Sequence, residues 1–364
     1  MRDSIPIKRT RVSTFTVPTD APEADGTFSW NSTTMVLAEV TAGDQTGIGY
    51  TYASEAAVTL IEKSFSKLLE SQDALANTAL WTRMRSHVRN VGRPGIASTA
   101  ISAVDNALWD LKAKLLGIPL AALLGRCRER VEVYGSGGFT SYSIRQLQEQ
   151  LGGWAAQGIR MVKMKVGSQP EHDVKRVRAA REAIGPNVQL FIDANGAYSR
   201  KQALGMAARF AKFDVRWFEE PVSSDDLEGL RLIRDSAPAG MEIAAGEYGF
   251  DEYYFRRMLE AGAVDVLQAD ATRCEGITGF MIAGVLAESF QIPFSAHTSP
   301  SVHLHPCCAQ PAFRHIEHFH DHARIEQMFF DGAAMPVDGF LAPDMSRPGI
   351  GLELKRKDAQ RFAA

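Results

Sequence analysis

The sequence lacks the features that direct a protein to a membrane, to nucleic acid or to a secretory route. The 364-residue chain has no uninterrupted apolar run long enough to span a bilayer, and residues 1–4 do not begin a signal peptide's apolar core. Its formal net charge of -3 gives no reason to expect nucleic acid or an anionic membrane as a partner. We therefore expect neither partner, and we expect a cytoplasmic protein.

Cysteine is also scarce. The four cysteines are Cys127, Cys274, Cys307 and Cys308, and their spacing fits neither a zinc site nor a disulfide framework. We expect reduced thiols, which agrees with a cytoplasmic location.

What the chain does contain is ordinary for a globular protein, with 45% apolar and 23% charged residues. Strand patterns at 5–15, 34–40 and 47–52 precede helical patterns at 57–69, 79–88 and 95–116, which predicts an α+β domain over residues 1–125. Between the first two strands, residues 17–30 are rich in proline, glycine and acidic side chains. A loop of that length is either disordered or functional.

A different rhythm begins near residue 131. Short apolar segments start near Val131, Met161, Gln189, Val215, Glu242, Val264, Ile292 and His315. Helical patterns separate several of them, with Ser199 and Ser224 at predicted N-cap positions. A spacing of about 20–30 residues suits one strand and one helix per unit of a barrel. We predict a modified (β/α)8 TIM barrel of the (β/α)7β type over residues 126–335. Residues 336–364 do not continue this rhythm and are expected to pack back on the first domain.

Three of these predicted strands end in a carboxylate, namely Asp193, Glu219 and Glu247. Strand ends converge on one mouth of a barrel, and three converging carboxylates repel one another unless a cation lies among them. Ligands that are all oxygen suit Mg²⁺ rather than zinc. Asn195 is a possible neighbour of this site, whereas Glu220 alternates with Glu219 and is expected to face away, toward a structural ion pair.

Lys163 and Lys165 are two residues apart on a strand, so they share one face, with their Cα atoms about 6–7 Å apart. Two nearby cations, together with burial, lower the pKa of at least one of them. A lysine with a lowered pKa can act as a general base near neutral pH.

Two further strands end in Asp270 and His297, and the last predicted strand carries Glu317. A carboxylate beside an imidazole fixes its tautomer and raises its basicity. Glu317 could donate a hydrogen bond to a substrate oxygen if protonated, or pair with a lysine if ionised.

Other histidines follow these strands. His303 and His305, placed in the same loop as His297, are candidates for substrate contact. The run of His315, His318, His320 and His322 with Asp321 suggests a transition-metal site, but its members alternate sides of a strand and then enter a loop, so we favour separate roles.

These motifs resemble those of the enolase superfamily, mandelate racemase subgroup. The resemblance covers nearly the whole chain and includes Ser102 to Leu111, Gly117 to Pro119 and the Lys163-Met164-Lys165 motif. It implies that residues 1–125 form a capping domain whose loop 17–30 closes over the barrel mouth. It also implies that Lys165 is one base, tuned by Lys163, and that the Asp270–His297 dyad is the base on the opposite face. Asp193, Glu219 and Glu247 would hold Mg²⁺, and Glu317 would hydrogen-bond the substrate.

Such a set removes the proton α to a carboxylate, giving an enediolate stabilised by the metal, Glu317 and Lys163. Returning the proton to the other face gives an epimer, whereas loss of a β-hydroxyl gives a 2-keto acid. The loop 17–30 combines six hydrogen-bonding side chains with Phe28 and Trp30, which suits a polyhydroxylated substrate better than an aromatic one. Its acidic residues argue against a second carboxylate on that substrate.

We therefore expect a magnesium-dependent sugar-acid dehydratase, with a racemase or epimerase of a 2-hydroxy acid as the alternative. Asn195, Phe28, Trp30 and His303 are the expected substrate contacts. Three alternatives are less favoured. A Schiff-base aldolase using Lys165 would leave the carboxylates without a role, and a binding module would not need the acid–base set. A cycloisomerase of this superfamily would be expected to carry lysine in place of Asp270. By family habit we expect a homo-oligomer.

Overall fold

The computed structural model describes residues 4–364, and its first element is a three-stranded antiparallel sheet in the order β1-β2-β3. These strands are β1 (Ile7–Ala24), β2 (Ser29–Ala42) and β3 (Gln45–Tyr52). Helices α1 (Ala56–Leu60), α2 (Ser66–Leu69), α3 (Asn77–His87), α4 (Ile96–Leu116) and α5 (Leu120–Leu123) follow, with a π-helical turn at Ile61–Phe65 between α1 and α2. This sheet packed on helices confirms the expected α+β domain.

The segment predicted as a loop at 17–30 is instead the distal half of a long β-hairpin formed by β1 and β2. Its register slips between Pro18 and Glu23, so the extra residues bulge from the ladder. Pro18 and Pro22 were read as loop signals, but β1 is an edge strand, where a residue without an N–H group is tolerated. The only non-strand part is the turn at 25–28, closed by a hydrogen bond from Asp25 N to Phe28 O.

Eight parallel strands form a closed barrel, because each pairs with the next and the last pairs with the first. They are β4 (Val131–Gly137), β5 (Met161–Lys165), β6 (Gln189–Asp193), β7 (Val215–Glu219), β8 (Glu242–Ala245), β9 (Val266–Ala269), β10 (Phe294–Ala296) and β11 (Phe313–Phe319). The predicted barrel and its strand number are confirmed.

A helix follows every barrel strand. These helices are α6 (Ile144–Ala156), α7 (Pro170–Ile184), α8 (Arg200–Phe210), α9 (Leu227–Ser236), α10 (Glu252–Glu260), α11 (Gly276–Ser289), α12 (Pro300–Cys308) and α13 (His320–Phe329). Ser199 caps α8 as predicted, but Asp226, not Ser224, caps α9. The sequence patterns did not predict α12 or α13, because α12 is buried along its whole length and α13 begins inside a histidine-rich run.

Alternation of side chains along the strands builds the barrel interior in two layers. The lower layer is aromatic and aliphatic and contains Tyr134, Met161, Phe191, Trp217, Ala244 and Val266. Two residues further along their strands lie the buried polar side chains Ser136, Lys163, Asp193, Glu219 and Gln268. The charged layer therefore rests on a packed hydrophobic floor at the C-terminal mouth.

The C-terminal residues return to the capping sheet. Strands β12 (Phe330–Asp331) and β14 (Glu353–Leu354) pair with each other, β13 (Phe340–Leu341) adds to β4, and α14 (Arg356–Ala359) precedes a 3-10 turn. Arg356 forms an ion pair with Glu39 of β2, and Ala363 bridges to Phe15 of β1. Within residues 4–364, none of the helices combines the length and hydrophobicity needed to cross a lipid bilayer.

Helix α4 connects the capping domain to the barrel through the buried polar side chains of Ser102, Asp105 and Asn106, and Ser102 Oγ accepts from Gly276 N at 3.0 Å. Asn106 Nδ2 donates to the carbonyls of Tyr50 and Ala271, and its Oδ1 accepts from Ile277 N at 2.9 Å. Asp105 accepts from the backbone and hydroxyl of Thr278. These contacts fix the loop that follows Asp270, so a helix of the first domain holds part of the barrel mouth in place.

Candidate active site

The hydrogen-bonded register of three neighbouring strands aligns the charged residues at the barrel mouth. Lys165 of β5 is opposite Asp193 of β6, and Asp193 is opposite Glu219 of β7. Side chains at the same level of a closed sheet point to the same side, here the barrel interior. Because they point into the barrel, all three are buried: Lys165 is only 5% exposed, and both carboxylates are fully buried.

The three carboxylates predicted to bind a metal do converge. Asp193, Glu219 and Glu247 each offer an oxygen, and these atoms all lie within 4.8 Å of one another. Oxygen-only donors with negative charge match the preference of Mg²⁺, which usually takes one or more carboxylates and completes its shell with water. The residues present therefore fit a magnesium ion.

Lys163 is fully buried beside this group and pairs with several acids. Its Nζ lies 2.6 Å from Glu219, 2.8 Å from Glu317 and 3.8 Å from Asp193. Burial would raise the pKa of Glu317, but the charges of Lys163, His297 and Lys165 together outweigh burial and lower the pKa to about 2. Glu317 is thus ionised and paired with a lysine, the second of the two states considered from the sequence.

The expected lowering of the lysine pKa values was wrong for this arrangement. Burial lowers the pKa of Lys165, but the charges of Asp193, Glu247 and Glu317 together raise it by more, and Asp193 Oδ2 lies 2.5 Å from Nζ. Burial likewise lowers the pKa of Lys163, and the charges of Glu219 and Glu317 reverse that lowering. Each lysine lies next to a carboxylate, and the attraction to that carboxylate outweighs the repulsion between the two lysines.

Asp270 and His297 form the expected pair. His297 Nδ1 lies 2.9 Å from Asp270 Oδ2, while its Nε2 lies 3.1 Å from Glu247 Oε2. Burial and the charge of Arg273 lower the pKa of His297, but the charge of Glu247 and the hydrogen bonds with Asp270 and Glu247 together raise it to about 9. The imidazole is therefore a cation near neutral pH. It flanks the carboxylates at the Glu247 end, whereas Lys165 flanks them at the Asp193 end.

Glu220 and Asn195 each follow one of the three carboxylates closely in sequence, and the structure places them differently. Glu220 was expected to face a structural ion pair, but it is 1% exposed, forms no salt bridge within the described residues and leaves Oε1 without a partner. Burial, followed by the charges of Glu247 and Asp193, raises its pKa. The strand ends at Glu219, and a φ of 38° at Glu220 ends the simple alternation that the expectation assumed. Asn195 lines the cavity, with its own N–H bonded to Asp193 Oδ1.

A cavity of about 390 Å³ lies between the hairpin and the barrel mouth, and Lys165, Glu247 and His297 line it. Phe28 and Trp30 form part of its outer wall, with their rings stacked 6.2 Å apart. The turn of the hairpin rests on the barrel: a Cβ at Gly26 would lie 2.3 Å from the carbonyl oxygen of Ala194. The hairpin thus covers part of the barrel mouth.

Sequence reasoning missed several residues of this cavity. Arg273, Tyr248, Tyr52 and His322 all line it. Tyr52 and His322 stack with ring centroids 3.5 Å apart, joining the capping sheet to α13. Arg273 lies 3.5 Å from Glu247 Oε1 and was detectable as a cation three residues after a strand-end acid. Tyr52 ends a strand of the other domain, and its sequence context gave no signal.

The prediction that His303 contacts substrate was wrong. His303 is fully buried in α12, where Nε2 accepts from Ala271 N at 2.8 Å and Nδ1 lies 2.9 Å from Thr298 O. Its ring therefore orders the backbone beneath the site. His305 likewise accepts from Ala121 N inside the protein. His315 packs against the aromatic floor of the barrel, so the histidine run does not form one site.

Solved structures share the fold of this chain. A mandelate racemase/muconate lactonizing enzyme-like protein from Rubrobacter xylanophilus superposes with a TM-score of 0.97 at 55% identity, covering 99% of this chain and 100% of that one. L-talarate dehydratase from Polaromonas sp. JS666, solved with Mg and L-glucarate, gives a TM-score of 0.90 at 30% identity, covering 99% and 98%.

Sequence comparison extends over both domains. A 3,6-anhydro-alpha-L-galactonate cycloisomerase from Streptomyces coelicolor is 32% identical over 98% of this chain and 99% of its own length. The family model "Mandelate racemase / muconate lactonizing enzyme, N-terminal domain" matches residues 9–125, and "Enolase C-terminal domain-like" matches residues 146–359. The chain belongs to the mandelate racemase/muconate lactonizing enzyme family of the enolase superfamily.

Proposed function

We propose that this enzyme removes the proton α to the carboxylate of a sugar acid and then cleaves the β carbon–oxygen bond, giving a 2-keto-3-deoxy acid. The observation that carries the proposal is the placement of Lys165 and His297 at the two ends of one carboxylate cluster, in one covered cavity. A cavity wall that also includes Thr27, Thr33 and Asn195 offers hydrogen bonds to several substrate hydroxyls.

Each charged residue of the site has a defined role in this reaction. Asp193, Glu219 and Glu247 would hold Mg²⁺, which would supply positive charge to the substrate carboxylate and would offset the charge of Asp193, the main cause that raises the pKa of Lys165. Lys165 then takes the α-proton. His297, oriented through Nδ1 by Asp270, carries a proton on Nε2 and gives it to the departing β-oxygen.

Loss of water and opening of an anhydro ring are the same bond cleavage with different leaving groups. A β-hydroxyl leaves as water, whereas a β-oxygen that belongs to an anhydro ring stays attached to the product, which is then an isomer of the substrate. The cycloisomerase relative favours this second candidate. From the sequence, a cycloisomerase was expected to carry lysine in place of Asp270. Because Lys165 and His297 would serve both reactions, the presence of Asp270 is a weaker argument against a cycloisomerase.

The test is proton NMR in D₂O with a panel of sugar acids and anhydro-sugar acids, with and without Mg²⁺, together with detection of 2-keto acid. We expect deuterium uptake next to the carboxylate and keto-acid formation, both dependent on Mg²⁺. Lys165→Ala should stop the uptake, and His297→Asn should stop keto-acid formation. Lys212→Ala and His172→Asn, which replace exposed residues, serve as matched controls. Epimer formation without keto acid would replace this proposal with a racemase or epimerase.

A further inference from the structure

A second cluster of metal-binding side chains joins the hairpin to the barrel, away from the magnesium ligands. Asp20 and Glu23 lie on β1, and His320 is the first residue of α13. One ligand atom from each lies within 4.8 Å of the others, and His320 Nε2 is 2.8 Å from Asp20 Oδ2. These three residues are called the hairpin cluster below.

Glu23 is the member that points to a missing ligand. It is 1% exposed, its Oε2 accepts from Trp30 Nε1 at 2.8 Å, and its Oε1 has no hydrogen-bond partner in the described part of the chain. A buried carboxylate oxygen without a partner loses its hydration and gains nothing in return. Burial and the nearby charge of Asp321 raise the pKa of Glu23 to about 8, so the site lacks a positive charge.

The surrounding charges supply only part of that positive charge. Arg324 is the nearby cation, but its Nη2 lies 2.5 Å from Asp321 Oδ1 and also donates to Pro18 O. Asp321 also accepts from Thr33. One guanidinium therefore faces three acidic side chains, those of Asp20, Glu23 and Asp321, and does not neutralise all of them.

We propose that Asp20, Glu23 and His320 bind a divalent transition-metal ion of the Zn²⁺ type, which fastens the hairpin to the barrel. Two carboxylates and an imidazole form a mixed oxygen and nitrogen set that Zn²⁺ accepts, with water completing four-coordination. The magnesium site differs because all its ligands are oxygen, so the two sites have different metal preferences.

The consequence reaches the substrate cavity. Glu23 holds the indole of Trp30, and Trp30 lines the cavity wall. A metal ion that fixes Glu23 to His320 orders this wall and slows opening of the hairpin. Zinc occupancy would then change substrate affinity without a zinc ion touching the substrate.

The experiment measures Zn²⁺ bound per chain after dialysis with Zn²⁺ in excess Mg²⁺, by elemental analysis. Wild type should bind one more equivalent than His320→Gln, and Asp20→Asn should bind that equivalent about tenfold or more weakly. His172→Gln, an exposed histidine substitution, is the matched control and should behave as wild type. Because Asp20 is half-exposed, Asp20→Asn keeps the test valid if His320→Gln does not fold.

Backbone hydrogen exchange of residues 18–32 provides a second readout. Zinc should slow exchange in wild type and in His172→Gln but not in His320→Gln. Equal zinc stoichiometry in all four proteins would overturn the proposal. So would exchange that zinc leaves unchanged in wild type, because the cluster would then be only a carboxylate–imidazole pair.

Discussion

Replacing Lys163 with methionine tests whether the buried charges balance as described. The side chain is fully buried, and its Nζ contacts Glu219 and Glu317 at 2.6 and 2.8 Å. Methionine keeps much of the volume and removes the charge. The carboxylates of Glu219 and Glu317, both fully buried, are then left without their shared partner.

The structure sets the expected size of this effect. Removing one partner of a buried ion pair costs about 3–5 kcal/mol, and Lys163 serves two close carboxylates. Lys163→Met should therefore lose about 3–5 kcal/mol of unfolding free energy in EDTA. Lys212→Met, at an exposed position, should change it by no more than about 0.5 kcal/mol.

Magnesium provides the second half of the test. Lys163 and the metal compete for the same carboxylates, so removing the lysine charge should tighten metal binding. Each tenfold gain in affinity adds about 1.4 kcal/mol to the stabilisation by saturating ligand. Added Mg²⁺ should thus stabilise Lys163→Met by more than it stabilises wild type.

The measurement is urea unfolding by circular dichroism and tryptophan fluorescence, in EDTA and in Mg²⁺. A Lys163→Met protein as stable in EDTA as Lys212→Met would refute the account of the buried charges. Equal Mg²⁺ increments in wild type and variant would refute the competition between lysine and metal, even if the variant is destabilised.

Three further substitutions test other parts of the structure. Gly26→Ala should raise KM with little change in urea stability, because its Cβ would meet Ala194 O at 2.3 Å and lift the hairpin; an unchanged KM would contradict that contact. Burial raises the pKa of Glu326 to about 7, so its folded form keeps a proton that the unfolded chain releases near 4.5. Wild type should therefore lose stability relative to Glu326→Gln as pH rises from about 4.5 to about 7, by up to about 1.4 kcal/mol per pH unit; parallel urea curves would exclude this. Ser199→Ala removes the α8 capping box and should cost about 1 kcal/mol in the same assay, with no loss of activity.

The strand ends of the barrel were predictable from sequence because two simple rules act together there. Apolar runs of four or five residues mark buried strands, and a charge at the end of each run lies at the same mouth. Asp193, Glu219, Lys165 and Asp270 follow these rules, so their convergence could be inferred without knowledge of tertiary contacts.

Other features depended on contacts that a local pattern does not contain. Residues 18–24 form part of the edge strand β1 and pair with β2. They are also held by the loop after β4, where Thr140 N donates to Ala24 O at 2.8 Å. His303 looked available because a histidine after a strand end is polar, yet helix α12 buries it completely. The raised pKa of Lys165 follows from Asp193, a partner on another strand, which sequence proximity to Lys163 could not reveal.

The polar contacts of α4 limit how this enzyme can admit a substrate. Asn106 binds both the capping sheet at Tyr50 and the barrel at Ala271, so hinged rotation of one whole domain away from the other would break several buried hydrogen bonds at once. Movement of the 18–32 hairpin would instead break hydrogen bonds that are mostly exposed, such as those of Ser141 with Pro22, His320 with Asp20 and Arg324 with Pro18. Admission and release should therefore involve a short flap of the first domain, and turnover could be tuned there without disturbing the groups that perform the reaction.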